Sequence, residues 1–459
     1  MSIFDEITEN PWFSRVWTIQ EVALAREALV ICGDATIPWD AFVLGVHSIM
    51  DAEQRVTGNT LGLTSLSGAM HAHMYTANAF SQKQANPQTP TAGLTLLFSS
   101  VLSRKCMDPK DHVFGLHAVL NRLGAGLPDP DYSKPLHRVF AEASRLIIER
   151  DHSLDLLKYV TGLDLEENWP SWVPTRVKTK LPEILKKFRA AGDSSAPLIQ
   201  FRETGRQLIL SGKKVGSVSM FSARSPYLGS THRVADDTRR LSYLDKCQEA
   251  QNVIRSFQTW VVLWNSAKCR GLMTAYDDPD MERRALFTTL LQGGTITSWA
   301  SDETALLRGF YKWGAMLCAN LEGHLIGMDA IDLLLYGSTS EHKMLLPPEM
   351  QYLTRTEEWR IHEAIENDID TSPLHHRLVQ CNLSKTLFVT DTGHIGTAVA
   401  SIRAHDSIVL VSGLGVPLIV REIPGQISYR LMGPAFIAGI MFGEMWQGIK
   451  GRLEDIILA

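Results

Sequence analysis

The feature that most constrains this chain is its tail. Thr386–Thr390, Ser407–Val411, Pro417–Glu422 and Ile427–Leu431 are short β-branched runs. Gly, Asp and Pro turns separate them at roughly ten-residue spacing, which predicts a small antiparallel sheet or a partly closed barrel. The chain ahead of them reads differently. Gly93 to Arg104, His112–Leu123 and the stretch from Leu136 to about Arg150 carry apolar residues at helical spacing. In the last of these Val139, Phe140, Ala143, Leu146 and Ile147 share one stripe. Val113, Phe114, Leu116 and Leu120 form the expected buried set of the middle one. The fold class expected is therefore α+β, a large helical body followed by a compact C-terminal antiparallel β module.

Further helices are predicted over Tyr243–Asn265, Asp280–Gln292 and Glu303–Leu321, and Leu208 to Val218 reads as a strand pair across Ser211-Gly212. Trp169-Pro170-Ser171-Trp172-Val173-Pro174 cannot be helical, because each proline biases its predecessor to extended backbone. At the front, Asn10-Pro11 is a helix-entry signal. Ala28 to Cys32 is a continuous apolar run ending at Gly33-Asp34, the pattern of a buried strand and its turn. Ala41 to Met50 then resumes a helical pattern. Ser81 to Ala92 is rich in Pro, Gln and Thr and reads as an exposed linker.

Composition narrows the function classes. Forty-five basic against fifty acidic residues leave a formal charge of −5, so no global basic field invites nucleic acid. The acidic start lacks the basic and apolar regions of a secretory signal. Leu431 to Gly443 falls short of the roughly 18–20 apolar residues of a membrane span. The six cysteines lie far apart with no CxxC pair, which suits a reducing cytosol and points away from a disulfide framework or zinc site. A cytoplasmic location is expected.

Candidate chemistry concentrates in Arg15-Val16-Trp17-Thr18-Ile19-Gln20-Glu21. Trp17 and Glu21 are four apart and share a helix face. A carboxylate beside an indole is partly desolvated, which favours its neutral form and suits acid/base work. Arg15 could oppose that or bind a ligand phosphate. The plainer reading is a core tryptophan with a surface glutamate. Asp108-Pro109-Lys110-Asp111 could place two carboxylates near a ligand, but it also meets the capping and dipole preferences of a helix start. His71-x-His73 and His375-His376 lack partners at metal-ligand spacing, so no metal site is expected. Ser412-Gly413-Leu414-Gly415 reads as a strand-to-strand turn. No Ser-His-Asp, Cys-His or P-loop pattern stands out.

Several blocks together resemble the fungal HET (heterokaryon incompatibility) family. RVWTIQEVALA followed by ICG and PWDAF is similar to that domain's third signature block. RKCMDPKDHVFGL, PDPDYSKPL, WPSWVP, LFVTDTGHIGTAVASIRAHDSIVLVSGLGVPLIVRE and YRLMGPAFIAGIMFGE follow in the family's order. Two earlier blocks of the domain are not found, so the resemblance is to an N-terminally truncated member. Lys110 stands where the family has arginine, and His405-Asp406 replaces a Gly-Asp turn, which argues against a tight left-handed turn there.

The resemblance implies an organisation and a function. Residues 1–50 would be the C-terminal remnant of a HET domain, a partial flavodoxin- or TIR-like α/β segment with Trp12, Phe13, Trp17 and Trp39 partly uncovered. Residues 51–92 would be a variable segment and linker, 93–385 the mainly helical body, and 386–459 the β module with a terminal helix. The implied role is non-self recognition after cell fusion and programmed cell death, with other HET or signalling proteins as partners. HET domains have been likened to TIR domains, whose glutamate at this spacing assists NAD cleavage. By that analogy Glu21 would be catalytic, Arg15 and Trp17 would bind ligand, and NAD would be a substrate rather than a resident cofactor. Any activity would be NAD-glycohydrolase-like. The alternatives are a non-enzymatic interaction or decoy module and an accessory protein of a secondary-metabolite gene cluster.

Overall fold

The structure, a computed structural model, describes residues 10–57, 73–81, 93–102, 104–162, 168–175, 188–192, 197–222, 259–260, 263–264, 266–293, 378, 381, 385–399 and 401–459. The expected helix Glu303–Leu321, nearly all of Tyr243–Asn265, the linker beyond Ser81, and His71 and His375-His376 lie outside them.

At the front, Asn10 caps a 3-10 turn, Pro11–Ser14, its side chain accepting from the Trp12 N–H at 2.9 Å. Helix α1 (Trp17–Ala23) follows, then strands β1 (Leu29–Cys32) and β2 (Ala35–Pro38), then helix α2 (Trp39–Thr57). The two strands form an antiparallel hairpin around Gly33, which adopts φ +58° as such a tight turn requires. This corrects the expectation of a buried strand at Ala28–Cys32: Leu29, Ile31 and Cys32 are exposed. Val30 packs toward α2, and no second layer among the described residues covers the outward face. The aromatic patch departs from expectation in part: Trp12 and Trp17 are partly uncovered as expected, and the other two are not. Phe13 and Trp39 are buried, and Trp12, Phe13, Trp39 and Phe42 close on one another with ring centroids 5.2–6.4 Å apart. Edge-to-face and offset contacts of this kind stabilise a small cluster without a sheet behind it.

The helical body begins with α3 (Leu94–Val101), α4 (Asp111–Phe114), α5 (His117–Arg122) and α6 (Leu136–Asp151). The expected helix over His112–Leu123 is broken into two at Gly115, though Val113, Phe114, Leu116 and Leu120 are all buried as read. A β-carbon on Gly115 would lie 2.5 Å from Val16 Cγ1 and 2.8 Å from the Asp111 carbonyl oxygen, so the bare backbone lets the chain ahead of α1 dock here. Asp151, at the end of α6, caps α3 from afar. Its carboxylate accepts from the Leu94 and Thr95 N–H groups at 3.2 and 2.7 Å, satisfying two helix-start donors. Helix α7 (Pro279–Leu290) starts at Asp278, whose side chain accepts from the Met281 N–H at 2.7 Å.

The β module is larger than the tail alone. Strand β3 (Ile199–Arg202) pairs with β4 (Gln207–Phe221), and the tail supplies β5 (Lys385–Thr390), β6 (Ile395–Val399), β7 (Ser407–Val411), β8 (Leu418–Glu422), β9 (Tyr429–Ile437) and, after helix α8 (Trp446–Ile449), β10 (Glu454–Leu458). Pairings run β4–β5–β6–β9–β8–β7 and back to β4, closing an antiparallel barrel. The stretch Leu208–Val218 is thus not a strand pair but one long strand. Its first half holds β10 and β3, and the rest closes the ring. Closure removes free edges from this six-strand ring, the main aggregation hazard of a sheet.

The two faces of the barrel wall feed different cores. Ile408 and Leu410 join one cluster with Val218, Phe388, Ile419, Met432 and Trp446. Val409 and Val411 join the other, continuous with Leu97, Phe98, Phe140 and Ile147 of the helical body. Both faces are therefore buried, which is why these strands read as unbroken apolar runs. The WPSWVP turn joins body to barrel. Trp172 is fully buried and donates to the Arg206 carbonyl at 2.9 Å. Ser171 Oγ accepts from Leu431 N–H at 2.9 Å, and Ser171 N–H donates to the Ala459 carbonyl at 3.0 Å.

Candidate functional site

The structure brings two of the sequence blocks into one place. Lys105 N–H donates to the Ser14 carbonyl at 2.8 Å and Val16 N–H to the Lys105 carbonyl at 3.1 Å, a parallel bridge between the start of α1 and the segment before α4. Arg104 clamps the same joint. Its Nη1 donates to the carbonyls of Phe13 and Arg15 at 3.0 and 2.9 Å. Gln20 adds a further tie, its Oε1 accepting from the Ala118 N–H at 3.2 Å.

Arg104 is only 5% exposed, and its Nε and Nη2 have no hydrogen-bond partner among the described residues. Burial pushes its guanidinium down to about 10. His73 lies close by, its ring set edge-on to Trp39 at 4.8 Å. Burial first, then the Arg104 charge, pushes this imidazole down to about 3. The neutral ring is thus part of the packing around a buried cation.

Below this joint the Asp108–Asp111 turn behaves as a helix start. The Asp108 carboxylate accepts from the Lys110 N–H at 2.9 Å, while Asp111, also buried, accepts from the Tyr132 hydroxyl at 2.7 Å. Lys110, in the place of the family's arginine, donates to the Tyr132 carbonyl. His112 is buried against the Phe140 ring, and Cys106 Sγ lies 3.3 Å from its Nδ1. A cysteine–histidine contact was not expected from the sequence. The two residues are six apart across a proline turn, which no single regular helix or strand spans, so no periodicity exposes the contact.

The three residues singled out at the front are placed differently. Arg15 and Glu21 are exposed, and Trp17 is half-buried against the main core. Arg15 reaches the joint through its backbone. The expected desolvation of Glu21 is not seen, since exposure keeps its carboxylate in water. A hollow of about 20 Å³ beside Phe114, His117, Asp129 and Lys134 is water-sized.

At the barrel, His405 adopts φ +69°, so the left-handed turn is kept despite the loss of glycine. Asp406 beside it is buried and holds Arg421 through two bonds of 2.7 and 2.8 Å, and it also accepts from the Arg403 N–H. That network fixes the turn and compensates for a conformation that costs an L-residue about 1–2 kcal/mol.

The fold defines a class: an α+β protein in which a helical body is joined to a closed, C-terminal antiparallel barrel. Residues 355–456 match the Het-6 β-barrel domain. Heterokaryon incompatibility protein 6, OR allele, of Neurospora crassa is 23% identical over 482 residues, covering 96% of this chain and 65% of that protein. The chain thus spans slightly less than two thirds of the length of that relative. No solved structure matches. Both findings support kinship with the fungal heterokaryon incompatibility proteins. The matched region begins at 355, yet the barrel closes only through β4. Among the described residues no helix is long and apolar enough to cross a membrane.

Proposed function

We propose that this chain acts in fungal non-self recognition by binding a protein partner, with programmed cell death as the downstream outcome and the cytoplasm as its site of action. The observation that carries the reading is the outward face of the β1–β2 hairpin, where Ile31 is 71% and Leu29 51% exposed. Aliphatic side chains held out on a short, ordered hairpin favour a covering partner, for which another HET or signalling protein is the natural candidate.

The second reading, NAD handling with Glu21 as the catalytic carboxylate and Arg15 and Trp17 as ligand contacts, draws on the spacing of Trp17 and Glu21. A glycosidic carboxylate works in a desolvated setting that stabilises developing charge. The exposure of Glu21 therefore favours the interaction reading. The test is expression of the gene in a compatible fungal strain, scoring growth arrest after hyphal fusion. Ile31→Asp is expected to abolish arrest and Glu21→Gln to leave it intact. The reverse pattern would replace partner binding with NAD chemistry.

A further inference from the structure

We propose that β1 is a dimerisation strand, pairing antiparallel with β1 of a second copy of this chain about a two-fold axis at Val30. The inference rests on the reading of the hairpin as a docking surface and names its occupant. Hydrogen-bond direction is the starting point. The Trp39 N–H donates to the Ala28 carbonyl at 2.9 Å, which continues the β1–β2 register one step beyond the Leu29–Pro38 pair. Backbone groups alternate in direction along an antiparallel strand. Ala28, Val30 and Cys32 therefore turn theirs toward β2, and Leu29 and Ile31 turn theirs away from it.

The two outer edges of the hairpin are not alike. On β2 the outward phase falls on Thr36 and Pro38, and the proline withholds a donor, a common guard of a strand edge. On β1 it falls on Leu29 and Ile31, which keep their donors and acceptors, and no charge or proline interrupts the strand. Among the described residues nothing pairs with that edge. A two-stranded hairpin is marginal by itself and gains from added strands.

The sequence around β1 fits its own copy. Outward groups must meet outward groups, so odd-numbered residues pair with odd-numbered ones. Centring on Val30 sets Leu29 opposite Ile31 of the second copy, twice by symmetry. These exposed aliphatic side chains then lie side by side on one face of a four-stranded sheet. Beyond the strand, Arg26 approaches Asp34 of the second copy, again twice, and Glu27 falls beside Gly33. Centring on Leu29 would set Glu27 against Ile31, and centring on Ile31 would set Leu29 against Gly33. Only the Val30 register matches aliphatic to aliphatic and opposite charges to each other. A four-residue strand covers well under the ~800 Å² per partner of a standard interface, so the dimer is weak and concentration-dependent.

The experiment uses the full chain and the exposed, native Cys32. In the Val30 register Ala28 faces Cys32 of the second copy in a non-hydrogen-bonded pair. Cα atoms of such a pair sit about 4.5 Å apart, within the reach of a disulfide. The two copies of Cys32 lie roughly 13 Å apart along the strands, as do positions 28 and 32 of one chain, which is too far to join. Under mild oxidation Ala28→Cys is expected to give a disulfide-linked dimer about tenfold or more faster than the unmodified chain. Adding Cys32→Ser should return it to that background. In sedimentation runs the unmodified chain should gain mean mass with concentration, a measurement that needs no variant. Ile31→Pro, which removes an outward N–H and spares the β1–β2 ladder, should keep it monomeric. A monomer at every concentration, or a linked dimer that survives Cys32→Ser, overturns the proposal. Failure here while Ile31→Asp still abolishes arrest would assign the hairpin to a different partner. Cross-linking while Ile31→Asp leaves arrest intact would keep the dimer and remove its role in arrest.

Discussion

His73 and Arg104 show how much depends on one buried pair of basic side chains. In the folded chain the His73 ring stays neutral down to about pH 3, whereas its ordinary value is 6.5. Below 6.5 the unfolded chain takes up a proton that the folded chain does not. The stability present above 6.5 is therefore lost as pH falls toward 3, by up to about 1.4 kcal/mol per pH unit. Urea titrations across pH 3–7 should show this slope, and His73→Phe, which keeps a ring against Trp39, should flatten it. An unchanged slope would place the acid sensitivity elsewhere. Little of this site was legible in the sequence. Arg104, Cys106 and His112 stood in view inside a block that resembles the HET family, yet what joins them is a turn, and turns bring residues together without periodicity. Glu21 misled for a related reason. Helical spacing says which residues share a face, not whether that face meets water.

At the scale of elements, the front of the chain hinges on Gly115. Its lack of a side chain lets Val16 approach the break between α4 and α5. Gly115→Ala should cost about 1–3 kcal/mol, the usual range for overpacking, read as a lower midpoint in urea with an unchanged denaturant slope. A neutral effect would mean that this contact gives way freely. Helix stripes were read well here because burial on one side leaves a 3.6-residue signature, as in Val139, Phe140, Ala143 and Ile147. The hairpin was misread because LVIC has the apolar run of a buried strand, and an apolar run does not reveal whether a second layer covers it. The His405 turn was misread because composition gives the strain of a left-handed residue but not the Asp406–Arg421 bonds that hold it.

For the molecule as a whole, the barrel is assembled from distant parts of the chain. The short runs in the tail predicted a sheet or partial barrel, but its closing member, β4, lay in what read as the helical body. Only long-range pairing reveals that Gln207–Phe221 is one strand bonded to β5, β7 and β10. Residues 355–459 expressed alone should therefore stay unfolded or aggregate, giving collapsed amide dispersion in NMR spectra. A fragment that also carries residues 197–222 should recover dispersion. A folded 355–459 fragment would show that the ring can close without β4.

This arrangement also bears on how the protein is made in a cell. While the ribosome is still translating the stretch from 222 to 384, β4 waits outside with no tail strands to pair with. At common synthesis rates that interval lasts on the order of ten seconds. During it, the stretch of β4 from Gly212 to Phe221, which pairs with β7 and β5, is bare to the surroundings, so the nascent chain would be a client for chaperones at that stage, and a slow codon run downstream of Phe221 would lengthen its exposure.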